Sequence, residues 1–434
     1  MASPPIAQMT RLLIQGGRVV SPADSLDDEL DILIEGERIQ RLGHRLPADG
    51  AARLDVRGQV VAPGFVDIHV HLREPGDLLS ETLETGLQAA VAGGFTAVCP
   101  MPNTRPVNDQ PALTRTMIAK ARQIGLARVF PIAAVSLSSQ GEQLADLESL
   151  KAAGAVAFSD DGRPIKTAAL LRQALRLARR LGTPIIDHCE DPALSAGGVV
   201  NAGPVASRHD WPGISNRSEE ACVARDIEVC QAEDGPLHIA HLSTAGALET
   251  VRAAKRRGLK VTCEVTPHHL ALTEEAVEHY GTNAKMNPPL RSAQDREALL
   301  EGFSDRTVDA IATDHAPHAP QRKALPMAQA PFGVIGLETA FAVALQELVH
   351  SNRISLAQVI SLLSVQPARI IRQPLGRLQE GALADLTIFD PQLEWTYSAA
   401  RGFSKSRNSP FEGRAFRGAV TATLVGGKIV YQRR

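Results

Sequence analysis

The segment from Asp67 to Arg73 contains the residue types best suited to chemistry. It runs Asp67-Ile-His69-Val-His71-Leu-Arg73, so polar and apolar side chains alternate. Alternate residues of a β-strand face the same side, which puts both imidazoles on one face and the aliphatic side chains on the other. Two imidazoles on one strand face can bind one divalent cation, and nitrogen ligands suit Zn²⁺. The segment therefore predicts half of a metal site.

Further candidate ligands end other predicted strands. Histidines close the runs PIIDH and HIAH, and aspartates close AFSDD and DAIATD. Metal sites of βα barrels collect ligands from several strand ends, because the strands converge at that rim. We predict a metal centre, with Zn²⁺ ahead of Mn²⁺ or Fe²⁺. Its ligands are His69, His71, Asp161, His188, His241 and Asp314.

Neighbouring residues leave some of these assignments open. Asp160 precedes Asp161 and should point the other way, supporting the turn, but spacing alone does not decide which of the two binds metal. His238 lies three residues before His241 and is expected on the opposite face, in a packing role. The His268–His269 pair follows the seventh predicted strand and is also assigned a structural role.

Eight short β-rich runs alternate with helical patterns between Gly64 and Asp314. The runs are GFVDIHV, GFTAVCP, RVFPIAAV, GAVAFSD, TPIIDHC, PLHIAHL, LKVTCEV and VDAIATD. Helical periodicity marks segments between them, including Thr167–Leu181, Glu219–Ala232 and Ala245–Arg257. Eight βα units in about 250 residues fit an α/β protein with a (β/α)8 barrel. A doubly wound open sheet is the alternative that periodicity leaves open.

The two ends of the chain have a different pattern. Residues 10–62 and 383–432 show alternating strands with glycine turns and no long helix. Because chain termini often lie close together, the two ends are expected to pair into one small β-sandwich. We predict three parts: residues 1–62 and 371–434 in the sandwich, and residues 63–370 in the catalytic barrel. The Pro/Gly-rich segment Gln329–Gly336 is expected to be a loop at the catalytic face.

Composition excludes several classes of protein. The 434 residues include 46 Lys and Arg against 48 Asp and Glu, a net charge of −2, and only 4% aromatic residues. Neither a basic surface nor a base-stacking platform for nucleic acid is indicated. The uncharged stretch from Thr85 to Thr104 contains glycines and prolines and does not predict a membrane span. Five cysteines without a CxxC pair, and no evident signal peptide, favour the cytoplasm.

The motifs together resemble those of a known family. GFVDIHVHLREPG, PMPNT, AFSDDG, DHCED, HLST, NPPLR, TDHAPH and PFGVIGLE resemble the bacterial dihydroorotases of the amidohydrolase superfamily, in order and over essentially the whole chain. The resemblance implies a barrel that interconverts N-carbamoyl-L-aspartate and L-dihydroorotate in pyrimidine synthesis. It implies the six metal ligands named above, with Asp314 also the acid/base. The implied substrate contacts are His71, Arg73, Asn103, Asn287, His318, Phe332 and Gly333.

One departure concerns the metal count. Many members of the superfamily bridge two metals with a carboxylated lysine on the fourth strand, whereas this strand ends in Ser159-Asp160-Asp161. The chain is therefore similar to the class in which an aspartate substitutes, and it leaves open whether one or two zinc ions bind. The resemblance also implies two partners besides the small-molecule substrate, namely a second copy in a homodimer and an aspartate transcarbamoylase.

Two alternatives remain at the level of sequence. One is another cyclic amidohydrolase, such as an allantoinase or dihydropyrimidinase, whose substrates lack the carboxylate that Arg73 would bind. The other is a non-catalytic dihydroorotase-like subunit that scaffolds aspartate transcarbamoylase, although the intact ligand set disfavours it. Arg73 itself has two interpretations: a bidentate clamp on a substrate carboxylate, or a structural salt bridge to an acidic residue such as Glu74 or Asp77.

Overall fold

The structure is a computed structural model that describes residues 11–433. Both ends of the chain contribute to one eight-stranded sheet. Its strands are β1 (Arg11–Ser21), β2 (Leu26–Glu35), β3 (Arg38–Gly43), β4 (Ala52–Asp55), β5 (Val60–Pro63), β17 (Leu386–Thr396), β18 (Ala415–Val425) and β19 (Lys428–Gln432). The order is β19-β18-β17-β5-β1-β2-β3, with β4 paired to β1. Antiparallel pairing of β5 with β17 joins the two ends, as predicted, whereas the exact division of the chain into parts stays a prediction.

Parallel strands between these ends form the barrel. They are β6 (Phe65–Val70), β7 (Phe95–Pro100), β8 (Arg128–Val129), β9 (Ile132–Ala133), β10 (Ala157–Phe158), β11 (Ile185–Asp187), β14 (Leu237–Ile239), β15 (Val261–Val265) and β16 (Ala310–Ile311). The short β8 and β9 together make the third barrel strand, since β8 pairs with β7 and β9 with β10. A parallel bridge between Val70 and His315 closes the ring. The barrel prediction is confirmed, and the open-sheet alternative is wrong.

Helices follow the barrel strands, and short elements fill the loops. The helices are α1 (Leu83–Ala92), α2 (Pro111–Ile124), α3 (Leu147–Ala152), α4 (Ala168–Leu181), α5 (Pro192–Ser195), α6 (Pro204–His209), α7 (Asn216–Glu233), α8 (Ala245–Arg256), α9 (Pro267–Ala271), α10 (Ala276–Tyr280), α11 (Ala293–Ser304), α12 (Pro320–Lys323), α13 (Ala340–Ala344), α14 (Leu356–Ile360) and α15 (Gln366–Ile370). A two-stranded ribbon, β12 (Val200–Asn201) and β13 (Gly213–Ile214), lies outside the barrel.

Local sequence explains why the predicted helices form. In α4, the hydroxyl of Thr167 accepts the backbone N–H of Leu170 and so caps the first turn. The helix ends at Gly182, which takes the left-handed conformation. Its buried residues, including Leu171, Ala174 and Ala178, recur at helical spacing. The three helical segments predicted from periodicity correspond to α4, α7 and α8. Within residues 11–433, no helix is long and apolar enough to cross a bilayer.

Candidate active site

The barrel brings all six predicted metal ligands together at one end. They occupy the carboxyl ends of five parallel strands, where the βα loops begin. All six side chains are buried. Residue by residue, His69 lies in β6, His71 directly follows it, Asp161 follows β10, His188 follows β11, His241 follows β14 and Asp314 follows β16.

The first half of the cluster contains two histidines and two aspartates. Nε2 of His71 lies 2.9 Å from Oδ1 of Asp314 and 3.5 Å from Oδ2 of Asp161. Nε2 of His69 lies 3.2 Å from Oδ1 of Asp161 and 3.7 Å from Oδ1 of Asp314. Burial raises the pKa of Asp161, but the histidines around it outweigh burial and keep that pKa well below its usual range. The carboxylate is thus ionised, as a metal ligand must be.

The second half adds two more imidazoles to the same aspartate. Nδ1 of His188 lies 2.9 Å from Nε2 of His241. Oδ1 of Asp161 lies 3.8 Å from the first of these nitrogens and 3.7 Å from the second. In the described residues, Nε2 of His69 and Oδ1 of Asp161 are buried without a hydrogen-bond partner, a costly arrangement that a cation between them would relieve. The residues present therefore fit a divalent metal ion.

Two of these histidines are each oriented by a further polar side chain. Nδ1 of His71 lies 2.9 Å from Oδ1 of Asn103, and Nε2 of His188 lies 2.9 Å from Oε2 of Glu190. An oxygen beside the outer ring nitrogen places the proton there, so the lone pair of the other nitrogen faces the cluster. Glu190 also accepts a hydrogen bond of 2.8 Å from Nδ2 of Asn287. The predicted substrate contacts Asn103 and Asn287 are therefore linked by hydrogen bonds to the predicted metal ligands, Asn103 directly and Asn287 through Glu190.

A buried carboxylate on the seventh barrel strand orients His69. Oε1 of Glu264 lies 2.7 Å from Nδ1 of His69, and its Oε2 lies 3.1 Å from Nε2 of His238. His238 in turn contacts Thr262 through Nδ1 at 2.8 Å. Burial raises the pKa of Glu264, but the adjacent imidazoles lower it to about 2. His238 therefore has a polar role behind His69, a predicted metal ligand, beyond the packing role expected from its spacing.

The two aspartates after β10 have separate environments. Asp160 accepts hydrogen bonds of 3.0 Å from the backbone N–H groups of Val135 and Ser136, and another from the Ser136 hydroxyl. Its carboxylate is therefore committed to the neighbouring loop. Asp161 instead faces the four histidines. Asp160 thus supports the turn, as expected, whereas the choice of Asp161 as the metal ligand stays a prediction.

A cavity of about 190 Å³ opens above the ligands. Eleven of the twelve predicted site residues line it, and His69 is the exception because it lies fully buried below. The lining comprises His71, Arg73, Asn103, Asp161, Gly162, His188, His241, Asn287, Asp314, Ala316, His318, Phe332 and Gly333. Gly162 and Ala316 were not predicted.

Arg73 reaches this cavity from a loop. We expected a continuing strand, but β6 ends at Val70 and Arg73 has a left-handed φ of 59°. Its Nε donates to the carbonyl of Pro317 at 3.0 Å. Within residues 11–433, no carboxylate lies within 4.0 Å of the guanidinium: Glu74 pairs with Lys120, and Asp77 pairs with Arg322. Burial lowers the pKa of Arg73 to about 10, so it remains a cation at neutral pH. The structural salt bridges considered above are absent there.

The predicted contacts His318, Phe332 and Gly333 form the cavity wall beside Arg73, whose Nη2 lies 3.4 Å from Nε2 of His318. Nε2 of His318 donates to the carbonyl of Phe332 at 2.7 Å. Burial and the nearby Arg73 charge lower the pKa of His318 to about 3, so the ring is neutral. Gly333 has a φ of 131°, and a Cβ there would lie 2.7 Å from Cβ of Ala316. Only glycine fits this position.

Asn408 was missed by sequence reasoning, although its contacts are central to that wall. Its Oδ1 accepts the backbone N–H of His318 at 3.1 Å. Its Nδ2 donates to the carbonyls of Ala316 and Gly333, both at 3.0 Å. Asn408 belongs to the segment between β17 and β18, which leaves the terminal sheet and reaches the barrel mouth. No spacing or motif in that segment indicated this contact.

The fold and the site define a βα barrel whose cavity lies over a cluster of histidines and aspartates that could hold a metal ion. A model of the amidohydrolase family matches residues 60–430. The chain belongs to the amidohydrolase family and is an enzyme of that class.

Three curated proteins named dihydroorotase are similar in sequence to this chain over nearly its whole length. The one from Anaeromyxobacter sp. (strain K) is 49% identical over 425 residues, which covers 97% of this chain and 98% of the relative. The one from Geobacter metallireducens is 46% identical, with 97% and 100% coverage. The one from Pelotomaculum thermopropionicum is 47% identical, with 98% and 99% coverage.

Solved structures support the fold. The L-hydantoinase (dihydropyrimidinase) from Arthrobacter aurescens superposes with a TM-score of 0.86 at 24% identity, covering 97% of this chain and 96% of that one. The dihydropyrimidinase from Brevibacillus agri NCHU1002 gives a TM-score of 0.83, also at 24% identity, with 97% and 95% coverage. At this identity the likeness extends to the architecture only.

Proposed function

We propose that the protein is a dihydroorotase that interconverts N-carbamoyl-L-aspartate and L-dihydroorotate in pyrimidine synthesis. The observation that carries the proposal is Arg73, a cation at the rim of the cavity with no carboxylate partner among the described residues. A half-buried guanidinium is costly without an anion. Dihydroorotate has a carboxylate that a guanidinium can bind with two hydrogen bonds. Curated relatives with this name at 46–49% identity support the same substrate.

The proposed cofactor is zinc, with one or two ions per subunit. Imidazole and carboxylate donors suit Zn²⁺. Two sets of three side chains could hold an ion: His69, His71 and Asp314 form one, and His69, Asp161 and His241 form the other. Both sets use Nε2 of His69, since its Nδ1 faces Glu264, and one imidazole nitrogen binds one ion, so the two sets do not by themselves define two ions. The Asp161 carboxylate faces the histidines of both halves of the cluster, so it would help to hold an ion there. Zinc at such a site lowers the pKa of water and polarises a carbonyl group.

In the hydrolytic direction, water adds to the ring amide carbon of dihydroorotate and the C–N bond breaks. We assign Asp314 the proton transfer, because its carboxylate lies among the ligands and also lines the cavity. It takes a proton from the attacking water and delivers a proton to the leaving nitrogen. In the synthetic direction the C–N bond forms and water leaves: the same carboxylate removes the proton from the attacking nitrogen and delivers a proton to the departing oxygen.

The cavity walls provide the other substrate contacts of the proposal. Arg73 binds the carboxylate, with Asn103 and Asn287 on either side of the ligands and the neutral His318 beside it. The Phe332–Gly333 backbone covers the ring. A cytoplasmic location belongs to the proposal too, because all five cysteines are free and buried. Its partners are a second copy of the chain and an aspartate transcarbamoylase, as the family resemblance implies.

Replacing Arg73 by Met tests the substrate. The change removes the cation while keeping an apolar stem. We expect kcat/KM for dihydroorotate to fall by about 2–5 kcal/mol of transition-state binding. Ring opening of dihydrouracil, which lacks the carboxylate, should change far less. Both substrates, and allantoin, are assayed with and without a chelator.

Arg57→Met is the matched control, because Arg57 lies exposed in the turn between β4 and β5, where it pairs with Asp55. It should leave both activities unchanged. Equal losses on the charged and uncharged rings in Arg73→Met would show that Arg73 stabilises the protein instead of binding substrate. Faster turnover of allantoin or dihydrouracil than of dihydroorotate by the unaltered protein would contradict the proposed activity outright.

A further inference from the structure

Two buried lysines hold a loop whose last two residues, Phe332 and Gly333, line the cavity. We call residues 326–333 the substrate loop. Lys323, at the end of α12, is only 4% exposed. Its ammonium donates to the carbonyls of Lys285 at 3.2 Å, Pro331 at 3.0 Å and Gly333 at 2.9 Å. All three ammonium hydrogens are thus used on backbone oxygens.

Lys285 holds the other half of the substrate loop. Its Nζ donates to the carbonyls of Met327 at 2.5 Å and Ala330 at 2.7 Å. The same Nζ lies 4.4 Å from the centroid of the Phe332 ring. The Lys285 carbonyl accepts the N–H of Gly333 at 2.9 Å. Neither lysine forms an ion pair within residues 11–433, and burying a charge without a counter-ion is costly. That cost points to a function for the arrangement.

We propose that Lys323 is a positioning residue for substrate binding, which fixes the Pro331–Gly333 backbone against the cavity. The inference rests on the proposed substrate contact of Phe332 and Gly333. The Gly333 carbonyl receives Lys323 on one side and Nδ2 of Asn408 on the other. The Phe332 carbonyl is held by His318. Without the ammonium, the Gly333 carbonyl loses one of its two donors. The Pro331–Gly333 backbone is then held less firmly, so the wall of the cavity shifts.

The ionisation of Lys323 gives the arrangement a pH dependence. Burial and the charge of Lys285 lower the pKa of Lys323 to about 7. A cavity of about 330 Å³ adjoins it, lined by His318 and Arg407 but by no carboxylate. On α12 itself, Arg322 is paired with Asp77. Below its pKa, Lys323 is charged and donates three hydrogen bonds; above it, the neutral amine has two hydrogens for three carbonyls. The loop is therefore held most firmly at lower pH.

Lys323→Met removes the charge and the donors while keeping most of the volume. At about pH 6.5 we expect KM for dihydroorotate to rise roughly tenfold, as for one lost charged hydrogen bond, with kcat within about threefold. Between about pH 6.5 and 8.5, KM of the unaltered protein should rise, and this rise should be absent in the variant. Lys428→Met is the control, because Lys428 is exposed on β19.

Amide hydrogen exchange of a peptide covering residues 326–333, measured at one fixed pH, reports the loop without using activity. Exchange should be faster in Lys323→Met and unchanged in Lys428→Met. Unchanged exchange overturns the anchoring role. Faster exchange with an unaltered KM overturns the positioning role because the loop then does not contact substrate, while dihydroorotate turnover shows that the proposed function itself still holds. If Lys323→Met does not fold, Lys323→Gln, which keeps an amide donor, is measured with the same criteria.

Discussion

The carboxylate of Asp314 lies between the predicted metal ligands and the cavity. Its Oδ1 lies 2.9 Å from Nε2 of His71, among the atoms of the predicted metal site. The residue also lines the cavity that substrate would fill. It has a left-handed φ of 46°, an unfavourable backbone conformation for a residue with a side chain, and such strain is often found at functional sites. The position fits a group that both binds metal and transfers a proton.

Asp314→Asn tests proton transfer at this residue. The amide keeps the size and one oxygen of the carboxylate but cannot accept a proton at neutral pH. We expect kcat for dihydroorotate to fall by about 10²–10⁴-fold, the usual loss for a general acid/base, with the circular dichroism spectrum unchanged. Asp234→Asn is the control, since Asp234 is exposed and pairs with Lys260. A variant within a few-fold of the parent would leave Asp314 without the proton-transfer role.

Strand ends are the elements on which the site depends. The turn after β10 separates two consecutive aspartates: one anchors the neighbouring loop, and the other faces the histidines. Because consecutive side chains of an extended segment face opposite sides, one turn serves both structure and chemistry. The same principle holds at β6, where His69 and His71 share a face.

Variants of the two aspartates should separate these roles. Asp161→Ala removes the side chain that faces both halves of the cluster, so zinc content by mass spectrometry should fall while the melting temperature in chelator stays near that of the parent. Asp160→Ala leaves the N–H groups of Val135 and Ser136 without their acceptor. It should keep its zinc and lose about 2–4 kcal/mol of unfolding free energy, measured in urea. Full zinc content in Asp161→Ala would remove that residue from the ligand set.

Across the whole molecule, the proposed ions would connect parts of the barrel that are far apart in sequence. The ligands follow five different strands, and closure of the barrel relies on the bridge between Val70 and His315. A ligand that binds only the folded state stabilises it by an amount that grows with its concentration over its Kd. Metal binding should therefore stabilise the entire barrel and not one loop.

Removing the metal tests whether it stabilises the whole barrel. Dialysis against a chelator should lower the melting temperature by several degrees, because metal at about a thousand times its Kd contributes about 4 kcal/mol. Added Zn²⁺ should restore both the melting temperature and ring opening. A melting temperature that is the same with and without chelator would show that the six side chains do not hold a metal in the folded protein.

The sequence by itself determined the eight βα units and the set of side chains at the strand ends, whereas the closed barrel, in place of an open sheet, was decided by the tertiary structure. These features depend on short-range patterns: alternation along a strand, helical spacing and glycine or proline at turns. The HxH pair of β6 is one such pattern, since two residues fix which face both imidazoles share. The motifs around Asp161 and Asp314 were similarly local, and the structure places both aspartates in the cluster.

Only the tertiary structure decided what surrounds those side chains. Glu264 contacts His69 across 195 positions of sequence, and Asn408 contacts His318 across 90. The tertiary structure also leaves Arg73 without a carboxylate partner among residues 11–433. It brings the Lys323 ammonium against the carbonyl groups of the substrate loop. Such contacts depend on how strands and loops converge when the barrel closes. Periodicity specifies the direction of a side chain on its own element, but which distant group meets it is fixed by packing of the whole chain.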